Sequence, residues 1–171
     1  MFAAFAIGKW TQQTCGQVLC DFSNKVTILQ QGDKVEVFTD GNDDYVYMLP
    51  QYFDVENLNY GQLVKLRDKN GRLVGKERRV IFGEIDVNDI ETTDVENFNG
   101  ILRERLGRLV RKTKCISKKK QRLYCAVSFF MFYWNFVSQI RRGKTPAMLE
   151  GLSAKIWTWH EFFYTELNHL N

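Results

Sequence analysis

The sequence predicts a mixed α/β fold, and two observations carry this prediction. Short apolar stretches typical of strands lie in the first half of the 171-residue chain, two of them flanking the turn signal Lys69-Asn70-Gly71. Stretches with the spacing of amphipathic or buried helices lie before, between and after these strands. The length is that of roughly one domain, and a hydrophobic fraction of 44% is sufficient to fill a core.

Four strands are predicted in the first half of the chain, at residues 2–7, 35–38, 62–67 and 72–82. The last two form a hairpin, because Asn-Gly is a strong signal for a tight turn. Thr11 is a suitable N-cap for a helix that runs to about Asn24. A short helix at 43–49 ends at Pro50.

Four helices are predicted in the second half of the chain. They cover residues 93–112 and 119–141, a short helix with Pro146 in its first turn, and a last helix that begins with the capping-box spacing Thr158 to Glu161. Residues 123–137 are strongly apolar, but about 15 residues fall short of the roughly 20 needed to cross a bilayer. We therefore expect a buried core helix there and no membrane partner.

The segment at 94–114 is the most informative about function. Glu96, Asn99 and Arg103 share one helical face, beside an apolar stripe of Val95, Phe98, Leu102, Leu106 and Leu109. Residues 103–122 contain ten Lys or Arg and one acid, giving +9 in a chain of net charge +4. A carboxylate beside such a basic run suits a metal ion held over a phosphodiester. The alternative is an amphipathic helix with a solvated charged face.

Asp40 is the second candidate acid. It follows the apolar stretch VEVF, and ligands of open α/β sheets gather at the carboxyl ends of strands. The alternative is an ordinary Asp-Gly turn, and Glu96 has the similar alternative of an acid in a first helical turn. A strand-end Asp and a downstream helical Glu can converge on one divalent ion, so the pair is more specific than either member.

Other chemistries are disfavoured by the motifs. The sequence has no Gly-rich phosphate loop and no Gly-x-Ser-x-Gly. The four cysteines form no Cys-x-x-Cys pair and lie far from both histidines, so the sequence does not indicate a zinc site. Free thiols fit a reducing compartment, and we expect a cytoplasmic protein.

Four segments together resemble the insertion sequence 1 family of DNA transposases. The most specific is VENFNGILRERLGRLVRKTKCISKK, which resembles the family's carboxyl-terminal signature of a Glu, an Asn and a ladder of Arg and Leu. The segment FTDGNDDY is similar to the one that carries the family's second catalytic Asp. Supporting likeness lies in MFAAFAIGKWTQQT and KTPAMLEGLSAKIWTWHEFF, so the resemblance covers nearly the whole chain.

The resemblance implies a ribonuclease H-like core at residues 1–114, amino-terminally truncated, with a helical extension at 115–171. Asp40 and Glu96 would be catalytic and would bind two Mg²⁺ or Mn²⁺ ions with a third acid. The implied DNA-binding residues are Asn99, Arg103, Arg105, Arg108, Arg111, Lys112, Lys118 and Lys119. The implied partners are duplex DNA, as transposon ends and target, and either a second copy of the chain or the upstream transposase segment.

One part of the family pattern has no counterpart here. The family's first catalytic Asp lies on a strand upstream of the segment that matches Met1, and we expect this acid to be missing from the chain. Two hypotheses follow: a transposase fragment that acts with the missing part, or a non-catalytic DNA-binding remnant that interferes with the intact protein. We expect no DNA cleavage by the chain alone, and Asp43 and Asp86 are the first candidates for a substitute acid.

Overall fold

Three strands and six helices are seen in a computed structural model, which describes residues 1–9, 11–26, 34–110, 112 and 114–164. The strands and helices make a mixed α/β structure, as the sequence predicts. The chain divides into two compact units. One is Ala4–Lys114; the other combines Met1–Ala3 with Cys115–Asn171, of which residues 115–164 are described.

The sheet lies in the Ala4–Lys114 unit and has the order β1-β2-β3. Strand β1 (Val35–Asp40) runs parallel to β2 (Leu58–Arg67), which pairs antiparallel with β3 (Leu73–Phe82). A parallel pair needs a crossover, and here it contains α2 (Asp44–Met48) followed by two short 3₁₀ turns. Strand β1 continues two residues beyond the predicted 35–38, so Asp40 is its last residue.

A core lies where helix α1 (Gln12–Ser23) and the α2 region pack on one face of the sheet. Leu19 of α1, Met48 and Leu49 of the α2 region, and Leu58 and Tyr60 of β2 form one buried cluster. The predicted cap holds α1 in place, since Thr11 Oγ1 accepts a hydrogen bond from the Thr14 backbone N–H at 3.3 Å.

The hairpin turn lies where the sequence predicts it. The Gly71 N–H donates to the Asp68 carbonyl at 2.9 Å, and Gly71 takes a left-handed φ of +77° that suits glycine. The Asp68 carboxylate accepts from the backbone N–H groups of Asn70 and Arg72 at 2.9 and 2.8 Å. The turn is therefore built by Asp68 as well as by the Asn-Gly pair.

Helix α3 (Thr93–Arg105) is shorter than the predicted 93–112. Leu106 leaves the helical conformation with φ −110° and ψ 92°, just before Gly107, a poor helix former. Leu106 and Leu109 of the expected apolar stripe therefore lie beyond α3, and Val95 on α3 is 59% exposed. The prediction that this helix continues to residue 112 is wrong.

The second unit contains α4 (Lys120–Phe132), α5 (Pro146–Leu149) and α6 (Trp159–Tyr164). A π-helical turn at Tyr133–Val137 continues α4, so the predicted helix 119–141 ends early. Aromatic side chains pack between these elements, as in the Phe132–Phe162 and Phe129–Trp159 ring pairs with centroids 4.2 and 5.3 Å apart. None of the helices in the described ranges is both long and apolar enough to cross a bilayer.

The predicted strand at residues 2–7 is wrong, because these residues take no regular secondary structure. The buried Asn135 side chain binds the Phe2 backbone instead: its Oδ1 accepts from the Phe2 N–H at 2.8 Å and its Nδ2 donates to the Phe2 carbonyl at 2.7 Å. A side-chain amide thus provides the pairing that a neighbouring strand would have given.

Candidate functional site

Asp40 lies at the carboxyl end of β1 with its side chain exposed. Its strand position pairs with Leu63 of β2. The neighbouring Thr39 faces the opposite side of the sheet, where its hydroxyl lies 2.8 Å from the Tyr60 hydroxyl. Since side chains alternate along a strand, Asp40 belongs to the face that carries Leu63.

Glu96 lies in the first turn of α3 and is held by two side chains. Lys65 of β2 forms an ion pair with its Oε1, and the Thr92 hydroxyl donates to the same oxygen at 3.4 Å. The hydrogen bond from Lys65 is the main reason that the pKa of Glu96 is lowered from its ordinary value. The carboxylate is therefore ionised and already has a cationic partner.

The two candidate acids meet the same face of the sheet. Asp40 pairs with Leu63, and Lys65 is two residues further along β2, so Lys65 projects from the face of Asp40. Lys65 forms an ion pair with Glu96, so the Glu96 carboxylate lies on that face as well. Strand alternation thus assigns both acids to one face. The charge of Asp40 acts on the pKa of Tyr45 and of Tyr60, whereas Glu96 interacts with Lys65, Thr92 and Lys76.

The donor set is only part of a metal site. Within the described ranges, no group of three His, Cys, Asp or Glu side chains could hold a metal ion. Asp86 is occupied in capping a 3₁₀ turn, where its carboxylate accepts from the backbone and side chain of Asn88 at 2.9 Å. Asp43 is exposed next to α2. A two-metal site that used Asp40 and Glu96 would need at least one further carboxylate.

A buried polar network supports the loop that follows Asp40. Gln62 Nε2 lies 2.7 Å from the Tyr60 hydroxyl and donates to the Asn42 carbonyl at 3.0 Å. Burial raises the pKa of Tyr60, and it raises the pKa of the neighbouring Tyr45 to about 12. Both phenols therefore stay protonated at neutral pH, and Gln62 fixes the backbone just beyond the candidate acid.

The residues expected to bind DNA do not lie on one helix. Asn99 and Arg103 are on α3 with Glu96, as the i, i+3, i+7 spacing predicts, and Arg105 is its last residue. Arg108 lies in a 3₁₀ turn, and Lys112 has a left-handed φ of +59°. Lys118 and Lys119 precede α4 and belong to the other unit, while Arg111 lies outside the described residues. Arg103, Arg105, Lys112, Lys118 and Lys119 are exposed, and Asn99 is half-buried.

Lys65 and Gln62 are the site residues that the sequence did not reveal. Both lie on β2, whose sequence mixes apolar and polar residues, and this composition does not show which polar residue meets a distant helix. The Lys65–Glu96 pair joins residues 31 positions apart. Only the register of the sheet and the path of the chain into α3 bring them together.

Comparisons of this chain with protein-family models, with curated proteins and with solved structures give no match.

Proposed function

We propose that this chain is part of a DNA transposase similar to the insertion sequence 1 family, with a ribonuclease H-like core that acts by metal-dependent strand cleavage and transfer. The observation that carries the proposal is the placement of Asp40 and Glu96 on one face of the sheet. The parallel β1–β2 pair, with an acid at the carboxyl end of β1, supports it further.

In this proposal Asp40 and Glu96 each provide a carboxylate to Mg²⁺ or Mn²⁺. The bound ions would activate the attacking hydroxyl and stabilise the leaving oxygen. Lys65 would neutralise Glu96 until a divalent ion takes its place beside the carboxylate, and the Arg and Lys residues of 103–122 would bind the DNA backbone. A third carboxylate completes the site, provided by another segment or chain.

A second candidate function is a non-catalytic DNA-binding protein that interferes with an intact transposase. The ion pair between Lys65 and Glu96 favours it, because the ammonium group lies where a divalent ion would have to bind. Both candidates require DNA binding, and only the first requires a divalent ion at Asp40 and Glu96.

Duplex DNA binding as a function of salt concentration tests the proposal. The purified chain is expected to bind a random-sequence duplex with a steep salt dependence. Replacing Arg108, Arg111, Lys118 and Lys119 with Ala should flatten the slope by roughly 0.9 for each phosphate that the chain no longer neutralises. The matched control replaces Lys9, Lys25, Lys34 and Lys144, which changes the net charge equally and should leave the slope nearly unchanged. Equal slopes for both variants would assign the basic run to solubility.

Plasmid nicking addresses catalysis directly. The chain alone should not nick supercoiled DNA with Mg²⁺ or Mn²⁺, because two carboxylates hold a two-metal site poorly. Robust nicking that Glu96→Gln abolishes would show that an acid within the chain completes the site.

A further inference from the structure

The hairpin of β2 and β3 is the strongest charged feature outside the residues already assigned. Residues 65–79 contain seven Lys or Arg and two acids, a net charge of +5. Both strands are ten residues long. The first half of β2 is buried, whereas its last two residues and the first two of β3 are exposed. The hairpin therefore extends as a two-stranded ribbon beyond the part that packs in the core.

The acids of the hairpin do not neutralise its outer cations. Glu77 forms an ion pair with Arg79, and the Asp68 carboxylate is occupied by backbone N–H groups of the turn. Arg78 pairs with Glu91 at 3.5 Å, and Lys65 pairs with Glu96. Among the described residues, no carboxylate lies within ion-pair distance of Arg67, Lys69, Arg72 or Lys76.

The register places two of the cations directly opposite each other. Lys65 pairs with Lys76 across the strands, and like charges in opposed positions destabilise a sheet. Glu96 pairs with Lys65 and also interacts with the charge of Lys76, so it offsets part of this repulsion. Among the described residues Lys76 forms no ion pair of its own, so an anion bound along this face would add one, and the arrangement favours a polyanionic partner.

Among polyanionic partners, the shape of the ribbon favours duplex DNA. The major groove of B-DNA admits a two-stranded β-ribbon, whose outer cations can then reach phosphates on both sides. Leu66, Leu73 and Val74 at the outer end are 42%, 51% and 65% exposed and can contact base edges. The density of positive charge distinguishes the ribbon from a protein-docking surface, which is depleted in Lys.

We infer that the β2–β3 ribbon is a second duplex-DNA contact, made by Arg67, Lys69, Arg72 and Lys76 against the phosphate backbone. The inference rests on the proposed function, because it assumes that the chain binds DNA. The ribbon lies beside the candidate acids, because Lys65 of the same ribbon forms an ion pair with Glu96. A DNA strand bound along the ribbon would therefore pass these acids. The ribbon would then position the phosphodiester that the acids act on.

The test compares three variants of the full chain in duplex binding at several salt concentrations. The ribbon variant carries Lys69→Ala, Arg72→Ala and Lys76→Ala. The control carries Lys9→Ala, Lys34→Ala and Lys144→Ala, with the same change in net charge. The third is the basic-run variant at positions 108, 111, 118 and 119. We expect the ribbon variant to lower the salt slope by about 2 to 3, at roughly 1 for each phosphate bound, and the control to bind like the wild type.

The outcomes separate the two proposals. A ribbon variant that binds like the wild type, while the basic-run variant binds weakly, overturns the ribbon and leaves the proposed function standing. No duplex binding by the wild-type chain overturns both. If the wild-type chain binds single-stranded RNA or anionic vesicles more tightly than duplex DNA, and the ribbon variant loses that binding, the duplex assignment is also overturned.

Lysine footprinting on the wild-type chain gives a second readout that needs no variant. DNA should protect Lys69 and Lys76 from acetylation and leave Lys9 and Lys34 reactive. Unprotected ribbon lysines in a saturated complex would overturn the inference.

Discussion

Lys65 is the residue that determines the state of the candidate acid Glu96. Its hydrogen bond is the largest cause of the lowered pKa of Glu96, with smaller contributions from Thr92 and, at longer range, from the charge of Lys76. The sequence identified Glu96 from its place in a helix beside a basic run. It did not identify Lys65, because a lysine in a strand has no local signal for a partner 31 residues away.

Replacing Lys65 with Met should raise the pKa of Glu96 towards its ordinary value of 4.5. The physical reason is the removal of the hydrogen bond and charge that stabilise the carboxylate. The measurement is an NMR titration of the Glu96 side-chain carboxyl carbon. Lys76→Met is the graded control and should give a smaller rise, since Lys76 acts through its charge alone. An unchanged pKa in Lys65→Met would show that the ion pair does not form in solution.

Gly61 lies beneath the loop that leads into α3. A Cβ atom there would lie 2.7 Å from Ile90 Cγ1 and 3.3 Å from Phe38 Cδ1. We predict that Gly61→Ala lowers the free energy of unfolding by about 1–3 kcal/mol, the usual cost of overpacking a core. Gly75→Ala is the matched control on the neighbouring strand, where the nearest atom would be Leu66 Cδ1 at 3.7 Å. Equal stability of the two variants in urea unfolding would contradict this packing.

Among the elements, local signals predicted the helix starts well. Thr11, Pro146 and Thr158 are expected at the starts of their helices, and each lies there. The hairpin was also predictable, because Asn-Gly and the flanking strands act over a few residues. The ends of helices were less accurate: α3 ends at Leu106, before Gly107, although the apolar spacing that predicts it continues to Leu109. The prediction of a strand at 2–7 was wrong for a non-local reason: the Asn135 side chain forms hydrogen bonds with the Phe2 backbone.

The capping box of α6 gives a pH-dependent prediction. The Thr158 N–H and hydroxyl donate to Glu161 at 2.8 and 3.0 Å, and Lys155 forms an ion pair with the same side chain. These contacts, with the Lys155 hydrogen bond first, lower the pKa of Glu161 from 4.5 to about 2. A depressed pKa stabilises the folded unit above pH 4.5, and this contribution is lost as the pH falls towards 2.

Glu161→Gln should therefore lower the thermal midpoint at pH 7 and have little effect near pH 2. Unfolding is followed by tryptophan fluorescence, because Trp157 and Trp159 lie beside the box. Thr158→Ala is the companion variant and should lower the free energy of unfolding by about 1 kcal/mol, because it removes the helix cap. A difference between wild type and Glu161→Gln that stays constant from pH 7 to pH 2 would contradict the assignment.

At the scale of the whole molecule, positive charge is concentrated in two regions. The basic run at 103–122 carries +9 and the hairpin residues 65–79 carry +5. The sequence alone revealed the run but not its division between two units at Lys114. The sequence also predicted the hairpin, but it did not show that Lys65 and Lys76 lie opposite each other, because this depends on the strand register. Strand alternation assigns both acids that the sequence selected to one sheet face, and no group of three metal-binding side chains forms among the described residues.

Manganese titration followed by NMR tests the central claim most directly. In a ¹⁵N-labelled chain, substoichiometric Mn²⁺ should broaden the amide signals around Asp40 and around Glu96 together. Either Asp40→Asn or Glu96→Gln should abolish the broadening at both places, and the exposed control Asp54→Asn should leave it intact. Lys65→Met should strengthen it, since the competing ammonium group is gone. Broadening around only one of the two acids, or each variant removing only its own signal, would contradict a shared ion and favour the non-catalytic DNA-binding function.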